Sequence, residues 1–169
     1  HKYLISSKYL QMFLCKTASE KVSLIYELLN DNNDEYPFIT TACNFNLALE
    51  FEKISPELCF RFLDSAIQTD RQGKRKFFLP YLYHIKGRWY YDQKNYTMAM
   101  FYFNEALKSS EKNDFLNIAS MYNNLAMCYS DLKKNNEAII YVNYAIKILS
   151  NKKNPTEYEI LFIQELKNN

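Results

Sequence analysis

The sequence contains very little glycine and proline, the residues on which tight turns depend. Only two glycines and four prolines occur among 169 residues, whereas a β-sheet protein of this length needs turn residues between its strands. This scarcity argues against an all-β fold. Because Gly73 and Gly87 are the only glycines, the usual glycine-rich loops that cradle phosphates cannot be built either.

Patterns of metal ligands and catalytic residues are also missing. The four cysteines lie far apart along the chain: Cys15, Cys43, Cys59 and Cys128. None forms a CxxC pair, and His84 is the only histidine besides His1, so the spacing of a zinc site is absent. Neither HExxH nor GxSxG occurs. We therefore predict no metal, no cofactor and no enzymatic activity, and we interpret the cysteines as small apolar residues in a reducing cytoplasm.

Neither charge of one sign nor a long apolar run dominates the chain. The formal net charge is +2, which is too small for a nucleic-acid or membrane-surface footprint over the whole chain. We interpret the basic segment 71–76 as a solvated loop. No apolar run approaches the roughly 20 residues of a membrane span, and no secretory signal is visible. We expect a cytoplasmic protein without nucleic-acid or membrane contact, and we interpret His1 as a tag remnant or cut site and the chain as a fragment.

Apolar residues make up 48% of the sequence and include 15 tyrosines and 12 phenylalanines, enough for a packed core. They recur with the spacing of amphipathic helices, and no strand is needed. Nine helices are predicted, at about 2–15, 18–31, 37–53, 56–70, a fifth ending near 93, then 95–111, a seventh ending near 132, 135–150 and 155–167.

Capping signals locate several helix ends. Helix starts are indicated at Thr17 or Ser19, at Ser55-Pro56-Glu57, at Asn113 or Asp114, and at Asn154-Pro155-Thr156-Glu157, with Asn154 as the cap. Gly73 is suited to a helix stop. Pro80 permits two interpretations: it is either the first residue of the fifth helix or a kink inside a longer one. The apolar residues 77–79 favour the longer, bent helix.

Two stretches of the chain, 87–107 and 126–146, align with each other without a gap. Five pairs of apolar or small residues coincide: Gly87 with Ala126, Tyr90 with Tyr129, Ala99 with Ala138, Phe103 with Val142, and Ala106 with Ala145. A weaker copy upstream contains Asn44, Leu47, Ala48, Phe51, Cys59, Leu63 and Ala66, if its turn is one residue shorter. Small residues let two helices approach closely and large ones fill the gaps between pairs, so the repeat predicts a stacked helical array.

This pattern resembles the tetratricopeptide repeat (TPR), although Lys86 stands where leucine is expected and Glu111 where a closing proline is frequent. The resemblance implies an all-α, right-handed superhelical array of antiparallel helix pairs, with all of 1–169 as one domain. Its parts are a degenerate pair (2–35), three repeats (37–70, 75–111 and 115–150) and a capping or partial repeat helix (155–167). The spacing from Gly87 to Ala126 is longer than the usual unit of roughly 34 residues. It resembles that of TPR sensor regions in bacterial regulators of the peptide-pheromone receptor type.

The resemblance also implies a function and a site. It implies a non-catalytic module that binds a peptide or protein segment, as the sensing or scaffold region of a bacterial transcription or signalling regulator. In such arrays the first helix of each pair lines a concave groove. The groove residues would be Asn46, Tyr81, His84, Arg88, Tyr91, Asn123, Asn124 and Met127. Asn46 and Asn124 hold the same place in their repeats and could grip a peptide backbone, and Arg88 could bind a carboxylate.

Alternatives remain open for both the site and the function. An asparagine at this place is also explained by solvation or by a bond to a neighbouring turn, and His84 by ordinary packing. The chain could instead be a structural self-assembly module, including a homodimer, since array ends expose apolar faces. A co-chaperone-type clamp for an acidic C-terminus would use Asn46, Arg88 and Asn124, but the companion lysines of such clamps are absent.

Overall fold

The computed structural model describes residues 2–73 and 76–168, and within these ranges the chain is all-α. His1, which we interpret as a tag remnant or cut site, lies outside the described residues. So do Lys74 and Arg75 of the basic segment 71–76. The helices are α1 (Lys2–Gln11), a short 3₁₀ helix (Met12–Leu14), α2 (Ala18–Asn32), α3 (Pro37–Phe51), α4 (Pro56–Gln72), α5 (Leu79–Asp92), α6 (Tyr96–Ser109), α7 (Phe115–Asp131), α8 (Asn135–Ser150) and α9 (Glu157–Asn168). The predicted all-α fold of successive helices is confirmed. The chain divides into two compact units, His1–Leu82 and Tyr83–Asn169.

The first unit holds α1 to α4 and the start of α5, around a core built largely from α2 and α3. Six side chains are buried in this core: Ile5, Met12, Ile25, Leu28, Cys43 and Leu47. The predicted cap Thr17 is confirmed, since its hydroxyl accepts a hydrogen bond from the Glu20 amide at 3.1 Å. Buried Asn32 ties α2 to α3 because its amide donates to Thr40 Oγ1 at 2.9 Å and its carbonyl accepts from the Tyr36 amide at 3.1 Å.

The start of α5 corrects the interpretation of Pro80. The helix begins at Leu79, so Pro80 lies in its first turn and the longer, bent helix is wrong. The Asp70 carboxylate accepts hydrogen bonds from the Phe78 and Leu79 amides, both at 3.1 Å, and so fixes the start. A proline in the first turn has no amide hydrogen to lose. Gly73 does follow the last residue of α4, but with extended rather than left-handed backbone, φ −69° and ψ 152°.

In the second unit, two helical pairs, α5–α6 and α7–α8, share the same turn. Lys94 and Lys133 both adopt the left-handed conformation, with φ of 59° and 60°. The residue after each lysine donates its amide to a tyrosine carbonyl of the first helix, Asn95 to Tyr90 and Lys134 to Tyr129, both at 2.9 Å. The sequence repeat therefore copies backbone conformation as well as residue type.

A triad of tyrosines also occurs in each pair: Tyr83, Tyr90 and Tyr102 in α5–α6, and Tyr122, Tyr129 and Tyr141 in α7–α8. In each triad the second and third rings stack, at 5.4 Å and 5° in the first and 5.1 Å and 12° in the second. The first and third rings lie 6.1 and 6.3 Å apart. These pairs pack the two helices of a repeat together, as expected of aromatics at helical spacing.

The start of α9 differs from the sequence interpretation. Asn154 is not the cap, because the helix begins at Glu157. Thr156 and Glu159 form a reciprocal capping box instead: Thr156 Oγ1 accepts from the Glu159 amide at 3.3 Å, and Glu159 Oε2 accepts from the Thr156 amide at 2.7 Å. Lys152 adds an ion pair with the same carboxylate at 2.8 Å. These contacts hold the pKa of Glu159 below its usual value, chiefly through the hydrogen bond from Lys152.

Candidate functional site

An open cleft of about 770 Å³ lies between α7, α8 and α9 in the second unit. Its apolar lining consists of Ala126, Met127, Ala138, Ile139, Val142, Ile146 and Leu166. Its polar lining consists of Asn123, Ser130, Asn135, Asn143 and Lys167. Lys167 is the only charged side chain among these residues. Amides beside an apolar surface suit an extended peptide, whose backbone needs hydrogen bonds and whose side chains need apolar contact.

Two predicted groove residues, Asn123 and Met127, line this cleft. Asn123 Nδ2 lies 4.0 Å from Met127 Sδ, a weak contact. The Met127 side chain is 41% exposed. Both residues lie one turn apart on α7, so the cleft presents a polar and a flexible apolar group side by side.

His84 and Asn124 contact each other instead of lining the cleft. Asn124 Nδ2 lies 2.7 Å from His84 Nε2, and the His84 ring centroid lies 6.0 Å from that of Phe103. Burial lowers the pKa of His84 to about 4, and the Arg88 charge contributes to this lowering. The imidazole is therefore neutral near pH 7, and Nε2 accepts a hydrogen bond from the Asn124 amide.

Tyr91 and Arg88, also predicted for the groove, lie on the second half of α5. The Tyr91 hydroxyl donates to Asp131 Oδ2 at 2.7 Å, which joins the C-terminal ends of α5 and α7. Burial is the main cause that raises the pKa of Tyr91, and the hydrogen bond to Asp131 raises it further. Arg88 is exposed, four residues after His84. Contact of either side chain with a ligand stays a prediction.

Asn46 and Tyr81 belong to the first unit. Asn46 is buried, and its Nδ2 donates to the Ala42 carbonyl one turn earlier in α3, at 2.8 Å. This is the bond to a neighbouring turn that the sequence left open as an alternative. Tyr81 is exposed on α5. The shared register of Asn46 and Asn124 therefore does not give them the same partner, and a ligand role for Asn46 stays a prediction.

Sequence reasoning missed the contribution of α8 to the cleft. Ile139, Val142, Asn143 and Ile146 line it, although the resemblance assigned the groove to the first helix of each pair. A signal was present in the sequence, because 139, 142, 143 and 146 share one helical face. The exposed Ile139 on this face is the residue that a packing role alone does not explain.

Metal-binding clusters and membrane-spanning helices are both absent from the described ranges. Within residues 2–73 and 76–168, no group of three or more histidine, cysteine or acidic side chains could hold a metal ion. None of the helices in these ranges has both the length and the apolarity needed to cross a bilayer.

Two segments of the chain, residues 80–113 and 119–151, match the family model of the tetratricopeptide repeat. The first segment covers nearly all of α5 and all of α6, and the second most of α7 and all of α8. No curated protein matches the chain. The match supports a TPR protein, and TPR repeats imply a protein–protein interaction module that is generally non-catalytic.

Proposed function

We propose that this chain is a non-catalytic module that binds an extended peptide segment in the cleft between α7, α8 and α9. The observation that supports this most is the combination of a large apolar lining with amide side chains at its border. Among the described residues, the Asn123 amide makes only the weak hydrogen-bond contact with the Met127 sulfur. It is therefore available to form hydrogen bonds with a peptide backbone. Ile139, exposed on the cleft side of α8, offers contact to an apolar side chain.

A selection from displayed random dodecapeptides tests the proposal, followed by titration calorimetry of the enriched sequences. Asn123→Ala is expected to weaken binding about tenfold, as for the loss of one buried hydrogen bond or two. Ile139→Asp is expected to abolish measurable binding, because it places an unpaired charge against the apolar lining. Ile139 is exposed and Asn123 is half-buried outside the core clusters, so both variants should fold.

Asn104→Ala is the matched control. Asn104 is exposed on α6 in the same unit, and its amide donates to the Met100 carbonyl within its own helix at 2.8 Å. Its removal should leave peptide affinity unchanged. Enriched peptides that bind wild type and Ile139→Asp equally would show that the cleft is not their site, and a selection without enrichment would count against peptide binding itself.

We further propose that peptide capture serves a bacterial transcription or signalling regulator, with this chain as its sensing or scaffold region. One support is the long repeat spacing, from Gly87 to Ala126. Another is that three helices border the cleft, so a bound peptide could shift how these helices pack against one another. The reading frame of the gene tests this part. A DNA-binding or kinase domain in the same frame supports it, whereas further repeats alone count against it.

Self-association is a second candidate, favoured by the apolar surface of α1 and the following 3₁₀ helix. Tyr3, Leu10 and Leu14 are exposed there, Tyr3 to 91%. Tyr3 and Leu10 lie seven residues apart on one face of α1, and Leu14 lies in the 3₁₀ helix that follows. Light scattering over a concentration series tests this. A monomer at the highest concentration, or dimers that persist in Tyr3→Ser/Leu10→Ser, would argue against association through this face.

A further inference from the structure

A second cleft, of about 390 Å³, lies in the first unit between α2, α3 and α4. Its lining residues are Tyr26, Asn44, Leu58, Arg61, Phe62 and Ser65. None of the predicted groove residues is among them. Two of the three helices, α2 and α4, are the second helices of their pairs, so this cleft is also distinct in kind from a groove lined by first helices.

The repeat register explains why the first unit has an opening here. Asn44 stands where the α7–α8 repeat has Tyr122, and Ser65 stands where it has Tyr144. In that repeat the two tyrosine rings contact each other at 5.5 Å. In the first unit an amide and a hydroxymethyl group stand at these two positions, and both side chains line the cleft.

Part of the aromatic triad remains in the first unit and would contact a ring placed in this opening. Phe62 corresponds to Tyr141, and it packs against Phe51 at 5.7 Å and 32°. Tyr26 from α2 lines the same cleft and is 49% exposed. Aromatic rings favour offset or edge contacts with other rings, so these side chains suit an aromatic ligand.

Arg61 gives the cleft its charge. It is the only charged residue of the lining, and within the described ranges no acidic side chain forms an ion pair with it. The corresponding positions in the other two repeats are Phe101 and Ile140. A planar guanidinium binds a carboxylate through two parallel hydrogen bonds.

Asn44 and Ser65 add polar groups beside the apolar wall. The Asn44 amide donates to the Thr40 carbonyl at 3.0 Å, and Asn44 is itself buried. This bond uses one amide hydrogen of Asn44, and its carbonyl oxygen remains as an acceptor. A ring that carries a hydroxyl group could therefore be bound without loss of its hydrogen bond.

We propose that this cleft binds a small aromatic carboxylate, with its ring in the place of the two missing tyrosines and its carboxylate on Arg61. The same chemistry is offered by a free aromatic acid and by an aromatic residue at the C-terminus of a peptide. The proposal is independent of the peptide cleft in the second unit, because the two sites share no residue.

N-acetyl-L-tyrosine is the probe, titrated into ¹⁵N-labelled full chain and followed by amide chemical shifts. Saturable shifts at residues around Asn44 and Ser65 are expected. N-acetyl-L-tyrosinamide, which lacks the carboxylate, and N-acetyl-L-alanine, which lacks the ring, should each bind at least tenfold more weakly. Absence of saturable shifts up to about 10 mM, a range typical of weak small ligands, would overturn the proposal.

Two variants locate the binding. Arg61→Gln should weaken it about tenfold, the loss expected for a charge-assisted pair, whereas Lys53→Gln, which removes an exposed charge outside the cleft, should not. Asn44→Tyr should abolish binding by restoring the ring of the other repeats. If Asn44→Tyr does not fold, Ser65→Tyr at the cleft border makes the same test. Unchanged affinity in Arg61→Gln or in the folded tyrosine variant would refute the assignment.

A tetrapeptide with three alanines before a C-terminal tyrosine separates the two sources of the ligand. Tighter binding than that of N-acetyl-L-tyrosine would support a peptide C-terminus, because residues before the tyrosine then add contacts. Equal or weaker binding would support a free aromatic acid. In both cases the shifts should map to the same residues, and shifts at α7 and α8 instead would contradict the proposed cleft.

Discussion

Gly87 permits a close approach between α5 and the ring of Phe103, and its replacement by alanine should be costly despite the better helix propensity of alanine. A Cβ atom at position 87 would lie 2.5 Å from Phe103 Cε1 and 2.6 Å from Cδ1. Phe103 is only 1% exposed, so its ring has little room to move. The α7–α8 repeat has Ala126 and Val142 at these two positions, a larger residue against a smaller one.

The magnitude follows from two opposing effects. Overpacking of a buried site costs about 1–3 kcal/mol, and replacing glycine by alanine inside a helix gains about 1 kcal/mol. Gly87→Ala should therefore lower the free energy of unfolding by about 1 kcal/mol. Phe103→Val alone should lower it by about 2–4 kcal/mol, because it removes most of a buried ring.

The double variant Gly87→Ala/Phe103→Val reproduces the residue pair of the α7–α8 repeat. The valine makes room for the new methyl group, and the methyl group fills part of the space that the ring leaves. We expect the double variant to be more stable than the sum of the single effects by about 2 kcal/mol, within the range of coupled contacting pairs.

Urea unfolding followed by the fluorescence of Trp89, the only tryptophan, measures these effects in the unit that contains both residues. Ala126→Gly is the control in the other repeat, where only helix propensity and a small cavity should act, with a loss of about 1–2 kcal/mol. Additive effects of Gly87→Ala and Phe103→Val, or a stabilised Gly87→Ala, would refute the close-approach reasoning.

Titratable and buried groups give three further expected outcomes. The pKa of His84 in the folded chain, about 4, is below its usual 6.5, so the folded state binds fewer protons than the unfolded state. The free energy of unfolding, measured by urea titration, should therefore fall as the pH drops from about 6.5 to 4. An equally large fall in His84→Gln would contradict this. Glu159→Ala should speed hydrogen exchange in the first turns of α9 through loss of the capping box and ion pair, whereas the exposed Glu165→Ala should not. Burial raises the pKa of Cys128 to about 12, so a thiol reagent at pH 8 should label Cys128 only on unfolding, after the partly exposed Cys15; equal labelling rates would contradict this.

Helix number and most helix ends were predictable because the signals are local. Small residues at fixed places, a helical apolar period and caps such as Thr17 depend on neighbours within one or two turns. The errors occurred where a competing contact decides the end. Asp70 caps α5 from eight residues upstream, and Glu159 recruits Thr156 in place of Asn154. A local pattern cannot rank such alternatives, because each requires knowledge of which carboxylate reaches which amide.

The candidate site was predictable only in part, for a similar reason. Helical periodicity identified the exposed face of α7, and so Asn123 and Met127, but a cleft is a property of three helices together. Side chains of one type in one register can also differ in partner. Asn124 is bonded to His84, and Asn46 to the carbonyl of its own helix. The sequence identifies the amide, and only tertiary packing decides which acceptor is near it.

The tyrosine triads show where the limit of prediction by repeat lies. Where the residues are the same in the two copies, ring separations nearly coincide, at 5.4 and 5.1 Å for the stacked pairs and 6.1 and 6.3 Å for the tilted pairs. Where the residue differs between two copies, the local packing also differs, according to the volume of the side chain. Asn44, in place of a tyrosine, lines a cleft, and Phe103, in place of a valine, lies where a Cβ atom at position 87 would clash with its ring. The positions at which the repeats differ, more than those at which they coincide, are therefore where one repeat has a cleft or a close contact that the other lacks.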